Sequence, residues 1–132
     1  MSDTPWTNVF SEINNVAHTV LKVEDSLLAT NFLSLFKKKN YDEFNALFDH
    51  ASLELTRIKL TMDLSIDKSK LIALKSFADA LFDYTKILIR INYYLDLKAK
   101  GGEYPHASYQ KDLQSLDLAR EIIATRQDSI FN

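Results

Sequence analysis

The sequence contains no cysteine, and only two glycines and two prolines among its 132 residues. The lack of cysteine excludes disulfides, thiolate metal sites and cysteine nucleophiles, and is compatible with a reducing compartment. So few glycines and prolines cannot supply the tight turns of a many-stranded sheet. No stretch reaches the roughly 18 apolar residues of a membrane-spanning helix, and the first residues carry no signal-peptide pattern. We therefore expect an all-α, cytoplasmic protein without a membrane partner.

The charges are nearly balanced, with 16 basic and 18 acidic side chains and a formal net charge of -2. A chain with this balance is not drawn to phosphate backbones by its overall field. The only basic run, Lys37–Lys39, is sufficiently explained as the cationic end of a helix. Nucleic acid is therefore not an expected partner. With 46% hydrophobic residues, the composition predicts one folded domain spanning residues 1–132.

The first helix is predicted to begin at Pro5, with Thr4 as its cap, because proline suits the first helical position. Apolar residues then follow at helical spacing. Glu24 falls within the apolar stripe, and the stripe rotates beyond it. We expect one long helix to about Lys38, with a break near Val23–Ser26 as the alternative that would give five helices.

Three more helices are indicated by apolar residues three and four apart. Polar clusters and the pair Gly101–Gly102 separate them, and Gly101 is expected in the left-handed conformation that ends a helix. The predicted spans are Tyr41–Met62, Lys68–Lys100 and Ser108–Gln127. Short connections between such helices favour an antiparallel four-helix bundle.

Residues with catalytic or metal-binding chemistry do not form a recognisable set. None of the three histidines has another histidine three or four residues away. The one Glu-x-x-His, Glu103–His106, contains Pro105 and lies in the predicted turn after Gly101–Gly102, whereas di-iron bundles carry this motif on helices. Asp79 and Asp83 lie one turn apart, but Lys75, Lys86 and Arg90 on the same stripe favour an exposed salt-bridge ladder. We therefore predict no catalytic residue, no metal ligand and no cofactor, and expect a protein that is not an enzyme.

Surplus apolar and tyrosine residues are instead typical of a protein interface. Leu53 and Leu60 fall on the side of the second helix opposite its main apolar stripe, and the C-terminal half is rich in tyrosine, a residue favoured at interfaces. The sequence thus favours an interaction or regulatory module that works through protein contacts, as a homodimer or with another protein. The predicted interface residues are Leu53, Leu60, Tyr93, Tyr94, Tyr104 and His106.

A second hypothesis is a small-molecule sensor with a pocket between helices. Tyr84, Tyr94 and Trp6 would form its walls, as bundles often bind ligands between their helices. Asn92, on the apolar sector of the third helix, is expected either to set the register of a contact or to reach a backbone carbonyl.

Overall fold

The computed structural model describes residues 5–29 and 39–132 and contains four α-helices in this part of the chain. They are α1 (Pro5–Leu28), α2 (Tyr41–Leu60), α3 (Lys68–Ala99) and α4 (His106–Ile130). The helices pack against each other with no strand among the described residues, which confirms the predicted all-α four-helix bundle. None of the described helices is both long and apolar enough to cross a membrane.

The first helix differs from its predicted extent. α1 passes without interruption through Val23–Ser26, so the alternative of a break there is wrong; it ends at Leu28, well before the predicted end near Lys38. The ammonium group of Lys39 donates hydrogen bonds to the carbonyl oxygens of Leu27, at 2.6 Å, and Ala29, at 3.0 Å. A cation at these carbonyls stabilises the C-terminal end of a helix. The predicted cap Thr4 and residues 30–38 lie outside the described residues.

The starts of α2 and α3 follow from side chains that the sequence places there. Asn40 Oδ1 accepts a hydrogen bond from the backbone amide of Glu43 at 3.0 Å, and Asp67 Oδ2 accepts one from the amide of Ser69 at 3.2 Å. These acceptors satisfy amides that the first helical turn leaves free. Gly101 follows α3 with a φ of +76°, the left-handed conformation predicted for it.

The helix α3 is the centre of the bundle because it packs against each of the other three helices. Lys59 of α2 contacts Asp79, whereas Tyr41, at the other end of α2, contacts Asn92, so α2 runs antiparallel to α3. The contacts of α4 with Lys70 and Arg90 show the same for α4. α1 runs parallel to α3, since Trp6 lies against Lys70 and Glu24 contacts Tyr84. Two groups of buried side chains fill the interior, and each group contains residues of all four helices. Their largest fully buried members include Phe48, Leu55, Phe77, Leu81, Tyr84 and Leu88.

The charged stripe of α3 is not the ladder that the sequence predicted. Asp79 pairs with Lys59 of α2, and Arg90 pairs with Asp112 of α4. These charges therefore join α3 to α2 and to α4, which flank it on two sides. Spacing within one helix cannot show such partners.

Lys70 closes the end of the bundle where α1 and α3 begin and α4 ends. Its ammonium group donates a hydrogen bond to the carbonyl oxygen of Ile130 and lies 4.5 Å from the centre of the Trp6 ring. The Trp6 ring also packs edge-on against Phe131, with ring centres 5.8 Å apart. One cation thus interacts with the last turn of α4 and with an aromatic side chain of α1.

Candidate functional site

Four of the six predicted interface residues come together at the turn between α3 and α4. Together with Tyr109, which was not predicted, they form a continuous series of rings that we call the tyrosine surface. In order along the series, its residues are Tyr93, Tyr94, Tyr109, Tyr104 and His106. Their successive ring centres are 6.1, 6.4, 6.2 and 5.8 Å apart, and each pair is arranged edge to face. This is the arrangement that aromatic quadrupoles favour.

The turn positions these rings because it reverses the chain within a few residues. Tyr93 and Tyr94 lie in the last turns of α3, Tyr104 lies in the connection, and Tyr109 lies in the first turn of α4. Lys98 lies 5.5 Å from the centre of the Tyr104 ring and supports the tyrosine of the connection by a cation–π contact.

A two-point ion pair fixes α3 against α4 beside the tyrosine surface. The guanidinium of Arg90 donates from Nε and Nη2 to the two carboxylate oxygens of Asp112, each at 3.1 Å. Asp112 is buried, so its charge depends on this partner. Burial and the nearby Asp112 carboxylate raise the pKa of Tyr94, which therefore stays neutral at physiological pH.

The two adjacent tyrosines of α3 face different surroundings. Tyr94 is half-buried against α4, whereas 58% of Tyr93 is exposed. Neighbouring residues of a helix point about 100° apart, so only one of them can face α4. Tyr93 is consequently the more available of these two tyrosines to a partner.

Leu53 and Leu60 do not join the tyrosine surface. Both project from the solvent side of α2, where 69% of Leu53 and 81% of Leu60 is exposed. They lie seven residues apart and therefore on the same side of the helix. The chain leaves them uncovered, in agreement with the sequence pattern, and they form a second exposed apolar surface.

The predicted walls of a small-molecule pocket are not brought together. Trp6 contacts Lys70 near the start of α3, whereas Tyr94 lies 24 residues further along the same helix. At 1.5 Å per residue this places them about 36 Å apart. Tyr84 lies between these levels and is fully buried, so the three rings do not surround one cavity.

A buried polar cluster joins three helices and was not found by the sequence analysis. The hydroxyl of Tyr84 in α3 donates to Glu24 Oε1 of α1, and Arg120 of α4 donates to Glu24 Oε2 at 2.6 Å and to the Tyr84 oxygen at 3.1 Å. Arg120 also contacts Asp117 at 3.0 Å. Glu24 and Tyr84 are buried, while the Arg120 side chain is nearly half exposed.

The cluster bridges a gap between helices. The Cα atoms of α1 and α4 stay more than 8 Å apart, so only long side chains connect these two helices at this level. Burial and the Glu24 carboxylate raise the pKa of Tyr84, and the same carboxylate raises the pKa of Arg120. The one signal in the sequence was the position of Glu24 within an apolar stripe.

Asn92 reaches a backbone carbonyl, one of the two roles expected for it. Its Nδ2 donates to the carbonyl oxygen of Tyr41 at 2.9 Å, which ties α3 to the start of α2. Its buried Oδ1 has no hydrogen-bond partner among the described residues. Within the same residues, no group of three acidic, histidine or cysteine side chains is placed to hold a metal ion.

Comparison of the chain with models of protein families, with curated proteins and with solved structures found no match. The geometry of the surfaces and of the buried cluster is therefore the basis for the function proposed below.

Proposed function

We propose that the protein is a non-enzymatic interaction module that pairs with a second copy of itself through the tyrosine surface. The observation that carries the proposal is the continuous series of five rings at the turn between α3 and α4. Tyrosine is enriched at protein interfaces because it buries a large area and keeps a polar tip. It is also frequent among the residues that dominate binding energy.

The charges around the rings favour a second copy as the partner. Lys98 is exposed on the last turn of α3, Lys100 is exposed just after it, and the exposed Glu103 follows in the connection. A two-fold symmetric interface places each patch against the same patch of its partner, so a surface that carries both signs of charge can pair them across the interface. Both signs of charge flank the tyrosine surface, although Lys100 already pairs with Asp96 at 3.1 Å within the chain, and Lys98 and Glu103 are the charges that we expect to meet across a two-fold interface.

The test is the mass of the native assembly, measured by native mass spectrometry and by light scattering over a range of concentrations. We expect the unmodified protein to form dimers at micromolar concentration. The double variant Tyr93→Glu/His106→Glu should be monomeric, because two-fold pairing would bring its four new carboxylates together. Both residues are exposed in the single chain, so the bundle should still fold.

Two control variants separate this surface from other exposed apolar residues. Leu118→Glu changes an α4 residue that is 59% exposed and should leave the dimer intact. Leu53→Glu/Leu60→Glu tests the second exposed surface, on α2. If this variant is monomeric while Tyr93→Glu/His106→Glu remains a dimer, the proposed interface is wrong; if the unmodified protein is monomeric throughout, self-association is wrong.

A further inference from the structure

A groove runs between α1 and α2, formed by two adjoining depressions of about 270 and about 210 Å³. Glu12, Arg57 and Ile58 line both depressions and make them continuous. On the α2 side the lining extends from Leu47 to beyond Thr61, about 21 Å at 1.5 Å per residue. We call this feature the α1–α2 groove. Its length matches roughly four turns of a helix.

Apolar side chains form the floor of the larger depression of the α1–α2 groove. Ala51 and Ile58 are almost fully buried beneath it, Val16 is half-buried, and Leu47 stands at the edge with 37% of its surface exposed. The groove is open to solvent along its length and does not enclose a cavity. An open apolar channel between two helices suits the apolar side of a third helix, a common mode of peptide recognition.

The rim of the α1–α2 groove is acidic. Three carboxylates line it, from Glu12, Glu54 and Asp63, against the single guanidinium of Arg57. No lysine is among the side chains that line the two depressions in the described part of the chain. The groove therefore carries a local negative charge that would attract a cationic partner.

Arg57 shows how this rim holds a cation. Its guanidinium lies 3.0 Å from a carboxylate oxygen of Glu54 and 3.5 Å from one of Glu12, so one cation is held by both helices that form the groove. Arg57 balances one of the three carboxylate charges, so the rim keeps an excess of negative charge for positively charged side chains of a partner. This observation, together with the charge of the rim, identifies the chemistry of the occupant.

We propose that the α1–α2 groove binds a basic amphipathic helix of a partner protein. The apolar side of that helix packs on Val16 and Leu47, above the almost fully buried Ala51 and Ile58, and its lysine or arginine side chains pair with Glu12 and Glu54. This surface is made by α1 and α2, whereas the tyrosine surface lies at the turn between α3 and α4. The proposal is therefore independent of self-association through the tyrosine surface.

The test uses a fluorescently labelled peptide of about 18 residues, five helical turns of leucine and lysine in amphipathic order. We expect it to bind the full-length protein in a titration followed by fluorescence anisotropy, more weakly as salt increases. A peptide with glutamate in place of lysine should not bind. A scrambled peptide with the same composition but no apolar side should bind on the order of tenfold more weakly, since it cannot use the floor.

Matched variants locate the site on the protein. Glu12→Gln/Glu54→Gln should weaken binding about tenfold, because two carboxylates of the rim are lost. Asp25→Asn/Glu121→Gln removes the same number of charges from exposed positions outside the groove and should bind as the unmodified protein does. Equal weakening in both variants, or binding of the scrambled peptide as strong as that of the ordered one, would overturn the proposal.

The variants also keep the two proposals apart. Tyr93→Glu/His106→Glu should bind the basic peptide normally even where it no longer forms dimers. Glu12→Gln/Glu54→Gln should keep the native mass of the unmodified protein. A groove variant that loses self-association while its peptide binding is unchanged would mean that a second copy occupies the groove, and would contradict the proposed partner.

Discussion

The hydroxyl of Tyr84 donates its hydrogen bond to the carboxylate of Glu24, and these two buried residues belong to helices α3 and α1. Arg120 of α4 contacts both of them. A buried carboxylate is costly unless it is paired and hydrogen-bonded, so each member of the cluster is needed by the others. The cluster thus links α1, α3 and α4 through hydrogen bonds and an ion pair.

Replacing Tyr84 by phenylalanine should lower the free energy of unfolding by about 1–3 kcal/mol, the cost of leaving a buried acceptor without its donor. Urea denaturation followed by circular dichroism measures this difference. Tyr93→Phe removes the same hydroxyl from an exposed ring and should change the stability little. Equal stability of Tyr84→Phe and the unmodified protein would show that the hydrogen bond to Glu24 contributes nothing.

Replacing Arg120 by methionine should destabilise the protein by about 2–3 kcal/mol, since Glu24 then keeps a buried charge without its cation. This loss of stability is smaller than that expected for a fully buried ion pair, because the Arg120 side chain is nearly half exposed. The double variant Glu24→Gln/Arg120→Met should recover part of the loss, because no charge remains buried. Arg57→Met, at an exposed ion pair, should have little effect.

The stability should fall in alkaline solution, partly through Tyr84. Burial and the Glu24 carboxylate hold the pKa of Tyr84 well above its usual value, whereas an unfolded tyrosine titrates near pH 10. Above about pH 10 the native state therefore binds more protons than the unfolded chain, and the free energy of unfolding decreases as the pH rises.

Tyr84→Phe should remove the Tyr84 share of this decrease, up to about 1.4 kcal/mol for each pH unit. Denaturation at about pH 9 and about pH 11, on either side of the titration of a free tyrosine, gives the change in the free energy of unfolding with pH for each protein. The variant should retain some decrease, because the pKa values of Tyr41 and Tyr94 are also raised. Identical slopes would contradict the assignment to Tyr84.

Gly101→Ala should cost about 1 kcal/mol, because Gly101 has a φ of +76° that an L-residue adopts only with strain. No atom lies within 4 Å of a Cβ at this position, so the cost comes from the backbone alone. Gly102→Ala is the matched control: its Cβ would make an ordinary contact, 3.5 Å from the Leu97 oxygen. Thermal denaturation should therefore show a lower midpoint for Gly101→Ala only.

Local signals predicted most of the fold. Asn40 and Asp67 mark the starts of α2 and α3, and Gly101 marks the end of α3, because capping and positive φ depend on residues close in sequence. The end of α1 was predicted incorrectly. It is stabilised by Lys39, ten or more residues beyond the carbonyls that it contacts, and helical periodicity does not include such a contact.

The candidate site was predictable to the extent that its parts are local. Tyr93, Tyr94, Tyr104 and His106 meet because they flank one turn, so sequence proximity was a sufficient guide. Glu24 supported only the alternative of a break in α1, since its partners Tyr84 and Arg120 lie on other helices. The acidic rim of the α1–α2 groove likewise combines side chains from two helices whose facing sides appear only in the folded bundle.

Glu24 and Arg120 are separated by 96 positions along the chain, yet they share an ion pair. Contacts between such distant residues require a long loop to close and tend to form late in folding. Removing the pair should therefore leave the folding rate nearly unchanged and accelerate unfolding, as is typical of contacts that are absent from the transition state. The buried cluster would then determine how long the native bundle lasts, while neighbouring helices determine how fast it forms.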